Sequence, residues 1–296
     1  MKHAAVTTEV VVAIDAVHAG AGAVGVVVEA TDADAGLIGK RVLVGARDPC
    51  GECEVCRRGG ASVCPDAKVR KLAPGTRRVT AMTRWLVELG DGLDVHGPEA
   101  AAVPGAVALA YTLYARANLA PRDAVVVVGA GPIARFAVEL LAGKDITPVV
   151  AVEASAPAAW LAWLATTRRV TADATRAAVA AAFTARDVTA ADARPWRIVA
   201  CEPGALATAL ELAGPRSQIT ALAPARDADF AAALAAAFAR EVAVASVAAP
   251  HPDLVLESAA MTVRGDVDVV AGAQRTDRGE PPDPTRVPID VTRYTA

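Results

Sequence analysis

Residues 124–141 read AVVVVGAGPIARFAVELL, and this run sets the architecture of the larger part of the chain. Ala124–Val128 is continuously apolar, which predicts a strand buried on both faces. It leads into Gly129-Ala130-Gly131-Pro132-Ile133-Ala134, the pattern G-x-G-x-x-A, and Pro132–Ala142 has helical composition. In such a strand–turn–helix the first glycine makes the tight turn and the second lets the backbone approach a diphosphate. The small third residue lets the helix pack closely on the strand. The phosphates would sit against the helix N-terminus, where unpaired N–H groups and the helix dipole favour anions. Glu153 ends the next apolar run, PVVAVE, 24 residues beyond Gly129. A carboxylate there can accept both ribose hydroxyls and repels a 2′-phosphate, which predicts NAD(H) rather than NADP(H). Gly129, Gly131, Pro132, Ile133 and Glu153 are the candidate cofactor-binding residues. Glycines kept for packing alone would give the same pattern, and Arg168 and Arg169 could relax the preference for NAD(H).

Outward from this run, strand and helix alternate. Strands are expected at Pro148–Val152, Trp196–Ala200, Gln218–Ala223 and Val242–Val247, with helices at Ala156–Thr166, Ala205–Ala213 and Ala228–Arg240. Apolar strands linked by helices predict a parallel sheet covered on both faces. Upstream of Pro98 the texture is β: Glu9–Ile14, Gly25–Ala30, Arg41–Gly45 and Thr83–Leu89, the last closed by the turn Gly90-Asp91-Gly92. Short strands between Gly-rich turns suggest a barrel or sandwich. Between the two regions, Glu99–Asn118 is helical in composition and broken at Pro104-Gly105. The tail after Thr276 is rich in Pro and charge and is expected as an irregular surface extension.

Directly after Arg41–Gly45 the chain reads PCGECEVCRRGGASVCPD, with Cys50, Cys53, Cys56 and Cys64 spaced C-x2-C-x2-C-x7-C. Four thiolates can close a tetrahedral shell around one Zn²⁺, leaving no open position for chemistry. Ferredoxin-type iron–sulfur loops share C-x2-C-x2-C but place three residues before the fourth cysteine, not seven. Cys201, inside the apolar run IVACE, reads as a small buried thiol.

Composition limits the alternatives. Hydrophobic residues make up 54% and aromatics 4%, so the core must be built largely from small side chains. A net charge of −3 gives no reason to expect a nucleic-acid partner. The start MKHAAVTTEVVV lacks the apolar centre of a signal peptide, and no uncharged run is long enough for a membrane span, so a cytoplasmic protein is expected.

Together these elements resemble the medium-chain dehydrogenase/reductases, the zinc alcohol dehydrogenase superfamily. The run GVVVEA…GKRVLVGARDPCGECEVCRRGGASVC is similar to the family's barrel strands and structural-zinc lobe, VVVVGAGPIARFAVELL to its cofactor fingerprint, and VRGDVDV (Val263–Val269) to the segment that returns to the catalytic domain. The resemblance implies an α/β fold: a GroES-like β-barrel domain over residues 1–98 completed by 262–296, and a Rossmann NAD-binding domain over 99–261. It also implies one structural zinc, NAD(H), a small-molecule substrate and a homodimer or higher homo-oligomer, paired through Val242–Val247 if that strand is the sheet edge. The family's catalytic-zinc ligands are not matched. Its Gly-His-Glu segment falls on Gly20-Ala21-Gly22, no cysteine precedes Cys50, and the junction ligand falls near Val103. The chain is also roughly two dozen residues short between Ala16 and Gly20, where the family carries a pocket wall and proton relay.

Two functions follow. One is an atypical NAD(H)-dependent oxidoreductase that transfers hydride without catalytic zinc, on a bulky or carrier-linked substrate. The other is a non-catalytic nucleotide-binding or structural subunit that keeps the fold. His18, beside the shortened segment, is the one histidine placed to act as an acid or base, and a turn histidine is the alternative. His3, His96 and His251 read as terminal or loop residues; Tyr111 and Tyr114 could face the cleft or serve helix packing.

Overall fold

The computed structural model describes residues 8–90, 97–121, 123–167, 170–185, 195–202, 204–222, 234–235 and 237–292. His3, His96, Arg168, Arg169, Asp91, Gly92 and most of the helix expected over Ala228–Arg240 lie outside the described residues.

Residues 124–141 form β8 (Val125–Val128) and most of α3 (Pro132–Gly143). All four valines of β8 are fully buried, on the order of 2 kcal/mol of apolar transfer each. This strand sits inside a six-stranded parallel sheet with β9 (Val149–Val152), β10 (Val170–Asp173), β11 (Arg197–Ala200), β12 (Gln218–Leu222) and β13 (Ala243–Val247). The spatial order is β10-β9-β8-β11-β12-β13, so the chain winds outward in one direction, returns, and winds outward in the other. The reversal falls between β8 and β11, and ligands of doubly wound sheets bind in the crevice at such a point. Helices α4 (Ala158–Thr167), α5 (Arg176–Thr184) and α6 (Ala205–Leu212) make the β9–β10, β10–β11 and β11–β12 crossovers. Neither β10 nor α5 was expected from the sequence.

The second sheet gathers β1 (Glu9–His18), β2 (Gly22–Glu29), β3 (Arg41–Gly45), β6 (Arg78–Met82), β7 (Val87–Glu88), β14 (Ala273–Arg275) and β15 (Val287–Val291). Gly25 in β2 allows close strand contact: a Cβ there would come within 2.0 Å of the Ala13 carbonyl oxygen. Two expectations need correction. The tail is not an irregular extension, because β15 pairs with both β1 and β14, and Val287 and Ile289 are fully buried. Thr83–Leu89 is not one strand: Thr83–Trp85 forms a 3-10 turn, where the Trp85 indole N–H donates to the Pro49 carbonyl at 2.8 Å, and only Val87–Glu88 pairs with β3.

The connection between the sheets runs through a 3-10 turn (Pro98–Ala102), a wide π turn (Val103–Val107) holding Pro104-Gly105, and α2 (Ala108–Ala117), which ends on the left-handed Asn118. One continuous core links both sheets, from Ala16, Val24 and Leu43 to Val127, Phe136 and Val199. The fold is α/β, a GroES-like sheet joined to a doubly wound parallel sheet. Among the described residues no helix is long and apolar enough to cross a membrane.

Candidate functional site

Gly129 leaves β8 with φ +126°, a conformation that side chains rarely adopt, and Gly131 precedes α3 in extended geometry. No side chain caps α3 at its N-terminus. The helix is held from behind by Arg135, which is buried, pairs with Glu139 at 3.1 Å and lies over the Trp163 ring at 5.1 Å. Glu139 also accepts the Asp268 N–H at 3.0 Å, and burial raises its carboxyl above the usual range.

The crevice at the turn has a volume of about 230 Å³. Gly129, Ala130, Glu153, Ser155, Trp160 and Glu202 are on its wall, so the structure brings the glycine turn and Glu153 together. Glu153 is exposed just beyond β9, and its carboxylate accepts from Thr208 Oγ1. Glu202 was not anticipated. It lies two residues beyond β11, and its Oε1 accepts the Ala130 N–H at 2.8 Å. Cys201, the residue before it, is the inert buried thiol expected, with its ionisation pushed far up by burial.

The four cysteines converge on one point. Cys50 follows β4 (Arg47–Asp48), Cys53 caps the short helix α1 (Glu54–Arg57), Cys56 lies within it, and Cys64 follows a 3-10 turn. The base of the loop is pinned by buried Asp48, which pairs with Arg70 and accepts the Met82 N–H at 2.7 Å. Sulfur separations are 4.0 Å for Cys50–Cys56, 3.8 Å for Cys53–Cys64 and 3.6 Å for Cys50–Cys64. Four sulfurs about 2.3 Å from a central Zn²⁺ would be spaced about 3.8 Å apart, so the donor set fits a tetrahedral zinc. Backbone N–H groups of Cys50, Cys53 and Cys56 point at the sulfurs of Cys64, Cys50 and Cys53 at 3.3–3.4 Å. Such donors favour thiolate: those of Cys53 and Glu52 draw Cys50 down to about 7. Desolvation first, then the neighbouring sulfurs, push Cys56 up to about 12. Burial and the neighbouring sulfurs thus oppose ionisation at Cys56, and a bound dication would favour its thiolate. Cys50, Cys53, Cys56 and Cys64 could hold one metal ion, and they are the one such group found among the described residues.

A third site lies between the sheets, a cleft of about 350 Å³ walled by residues such as Ala21, Trp85, Pro104, Pro250 and Val255. Arg47 is the one charged side chain on its wall among the described residues, and its Nη2 donates to the Cys64 carbonyl at 3.2 Å. Ala21 lines the cleft, and Val103 is fully buried at the junction. His18 is largely buried behind Gly105, where a Cβ would come within 2.8 Å of its Nδ1. That nitrogen has no partner, and burial lowers the imidazole to about 4. Tyr111 and Tyr114 stack on each other at 6.0 Å and pack on the core, away from the cleft wall. His251 is a fastening rather than a bare loop residue, because its Nε2–H reaches the Gly59 carbonyl of the cysteine loop at 3.0 Å.

No protein-family model matches the chain, and no curated protein matches it in sequence. Solved structures do match. A short-chain alcohol dehydrogenase from Escherichia coli CFT073, solved with NADH, superposes with a TM-score of 0.73 at 16% identity, over 96% of this chain and 91% of that one. Alcohol dehydrogenase from Thermus sp. ATN1 gives 0.74 at 16% identity, over 96% and 92%. Galactitol-1-phosphate dehydrogenase from Escherichia coli gives 0.71 at 15%, over 90% and 85%. The likeness extends along both sheets. The chain has the fold of these dehydrogenases, at 15–16% sequence identity to them.

Proposed function

We propose that this chain is an atypical NAD(H)-dependent oxidoreductase with one structural zinc and no catalytic metal. The observation that carries the reading is the switch-point crevice, whose wall brings the positive-φ Gly129 and the exposed Glu153 carboxylate together beside the start of α3. Glu153 would hold the adenosine ribose and Gly129–Ile133 the diphosphate. When bound, the nicotinamide supplies or accepts the hydride. The chain's own contribution is to orient substrate and exclude water in the apolar cleft, where Arg47 offers a cation to a carbonyl or anionic group. The zinc holds the loop of Cys50–Cys64, which also furnishes part of the cleft wall through Ala61 and Ser62.

Ala21 and Val103 cannot ligate a metal, which supports loss of the second zinc site. The exposed edge strand β13 suits pairing with a second copy. A specific observation favours the rival reading, a non-catalytic nucleotide-binding subunit: among the described residues the cleft wall carries no Asp, Glu, His, Cys, Lys or Tyr, its one cation Arg47 does not exchange protons, and His18 is packed away from it.

The deciding experiment combines elemental analysis with turnover of NADH against activated enones and quinones. About one zinc per chain with NADH oxidation supports the oxidoreductase, and two zincs per chain contradict the loss of the catalytic metal. NADH binding without turnover leaves the non-catalytic subunit as the function.

A further inference from the structure

The switch-point crevice already holds an anion, and it belongs to the chain. Ala200 of β11 lies beside Val128 of β8, and the Cys201 N–H donates to the Val128 carbonyl at 2.9 Å. This register delivers Glu202 next to the turn that opens α3. Its Oε1 takes the Ala130 N–H at 2.8 Å. The same oxygen fills the space that Gly131 leaves open, since a Cβ on Gly131 would come within 2.6 Å of it. A Cβ on Gly129 would meet Glu202 Cγ and Cδ at 3.4–3.5 Å.

The two glycines therefore do what a diphosphate site requires, allowing an anion to approach the backbone. The anion that approaches is the Glu202 carboxylate. A diphosphate needs the same space and the same field at the start of α3, so the two cannot be accommodated together. Across the crevice stands a second carboxylate, Glu153, and no Lys or Arg lines the wall among the described residues. An incoming diphosphate thus meets two negative side chains and no cation.

We propose that Glu202 is an internal competitor for the diphosphate cradle and sets which ligands the crevice accepts. With the carboxylate seated, the adenosine portion beside Glu153 stays available while the diphosphate portion is blocked. A dinucleotide enters when the Glu202 side chain swings off Ala130, and it binds more weakly by the cost of that displacement and of the charge repulsion left behind. A nucleoside without phosphate bears neither cost. This inference rests on the dinucleotide reading of the crevice.

The test is calorimetric titration of the zinc-loaded wild type, Glu202→Gln and Glu202→Ala with NADH and, separately, with adenosine. Glu202→Gln keeps the size of the side chain and removes its charge, and melting curves confirm that all three proteins are folded. Losing a charge-assisted hydrogen bond and the repulsion should tighten NADH binding by about tenfold or more in Glu202→Ala. Glu202→Gln should gain part of this, and adenosine should bind all three within about twofold. Equal NADH affinity in the three proteins overturns the proposal and leaves the dinucleotide reading standing. Adenosine tightening in step with NADH also overturns it, because the side chain would then be a general obstruction. Failure of every protein to bind NADH overturns both the proposal and the reading beneath it.

Discussion

His18 gives the sharpest quantitative prediction. It is largely buried at the end of β1, its Nδ1 has no partner, and desolvation lowers its imidazole from 6.5 to about 4. Between those values the unfolded chain binds a proton that the folded chain refuses. Stability therefore falls as pH drops from about 6.5 towards 4, with a slope approaching 1.4 kcal/mol per pH unit. Integrated over the shift, the loss is about 3 kcal/mol, and it saturates below pH 4. Other groups titrate over the same range, so the comparison is with His18→Gln, which keeps a polar side chain and removes the proton site. Urea unfolding at pH 7 and at pH 4 should show the wild type losing about 3 kcal/mol more than the variant. Equal losses would refute the burial argument and return His18 as an accessible acid or base. In an NMR titration the His18 ring should not titrate above pH 5.

Three further outcomes are expected. Cys56→Ala should lower zinc from about one per chain to none and open residues 50–64 to proteolysis, because within that loop only Ala61 and Cys64 are buried and the metal supplies on the order of 10 kcal/mol. Gly131→Ala should abolish NADH binding while changing the melting temperature by no more than a few degrees, since the added Cβ meets only the movable end of Glu202. Ile289→Ala, fully buried in β15, should lose about 2–5 kcal/mol in urea unfolding; an unchanged midpoint would mean that the last strand does not belong to the sheet.

The sequence made local chemistry legible. Val125–Val128 and the glycines after them carry their own periodicity and turn signal, and the structure places β8 and α3 within one residue of the expected limits. The four cysteines fall within fifteen residues, so their convergence needed no long-range information. What was not legible depended on register. Glu202 looks like the end of an apolar strand, and its contact with Ala130, 72 residues away, exists because β11 pairs with β8. Strand β15 was hidden by Pro288, a residue that argues against an interior strand. It is accommodated because Val287, Ile289 and Val291 still alternate, with Pro288 exposed. Strand β10, VTAD, is too short and polar to announce itself, and only its pairing with β9 makes it a strand. His18 looked like a turn residue beside a missing segment; its burial comes from the junction turn at Gly105, far away in sequence.

The central claim is that the crevice between β8 and β11 binds a dinucleotide. The most direct measurement is an NADH titration followed by cofactor fluorescence and by quenching of tryptophan, since Trp160 is on the crevice wall. A saturable signal below millimolar NADH, lost in Gly131→Ala, is the predicted result. Absence of any saturable signal at millimolar NADH, in wild type and Glu202→Ala alike, would contradict it.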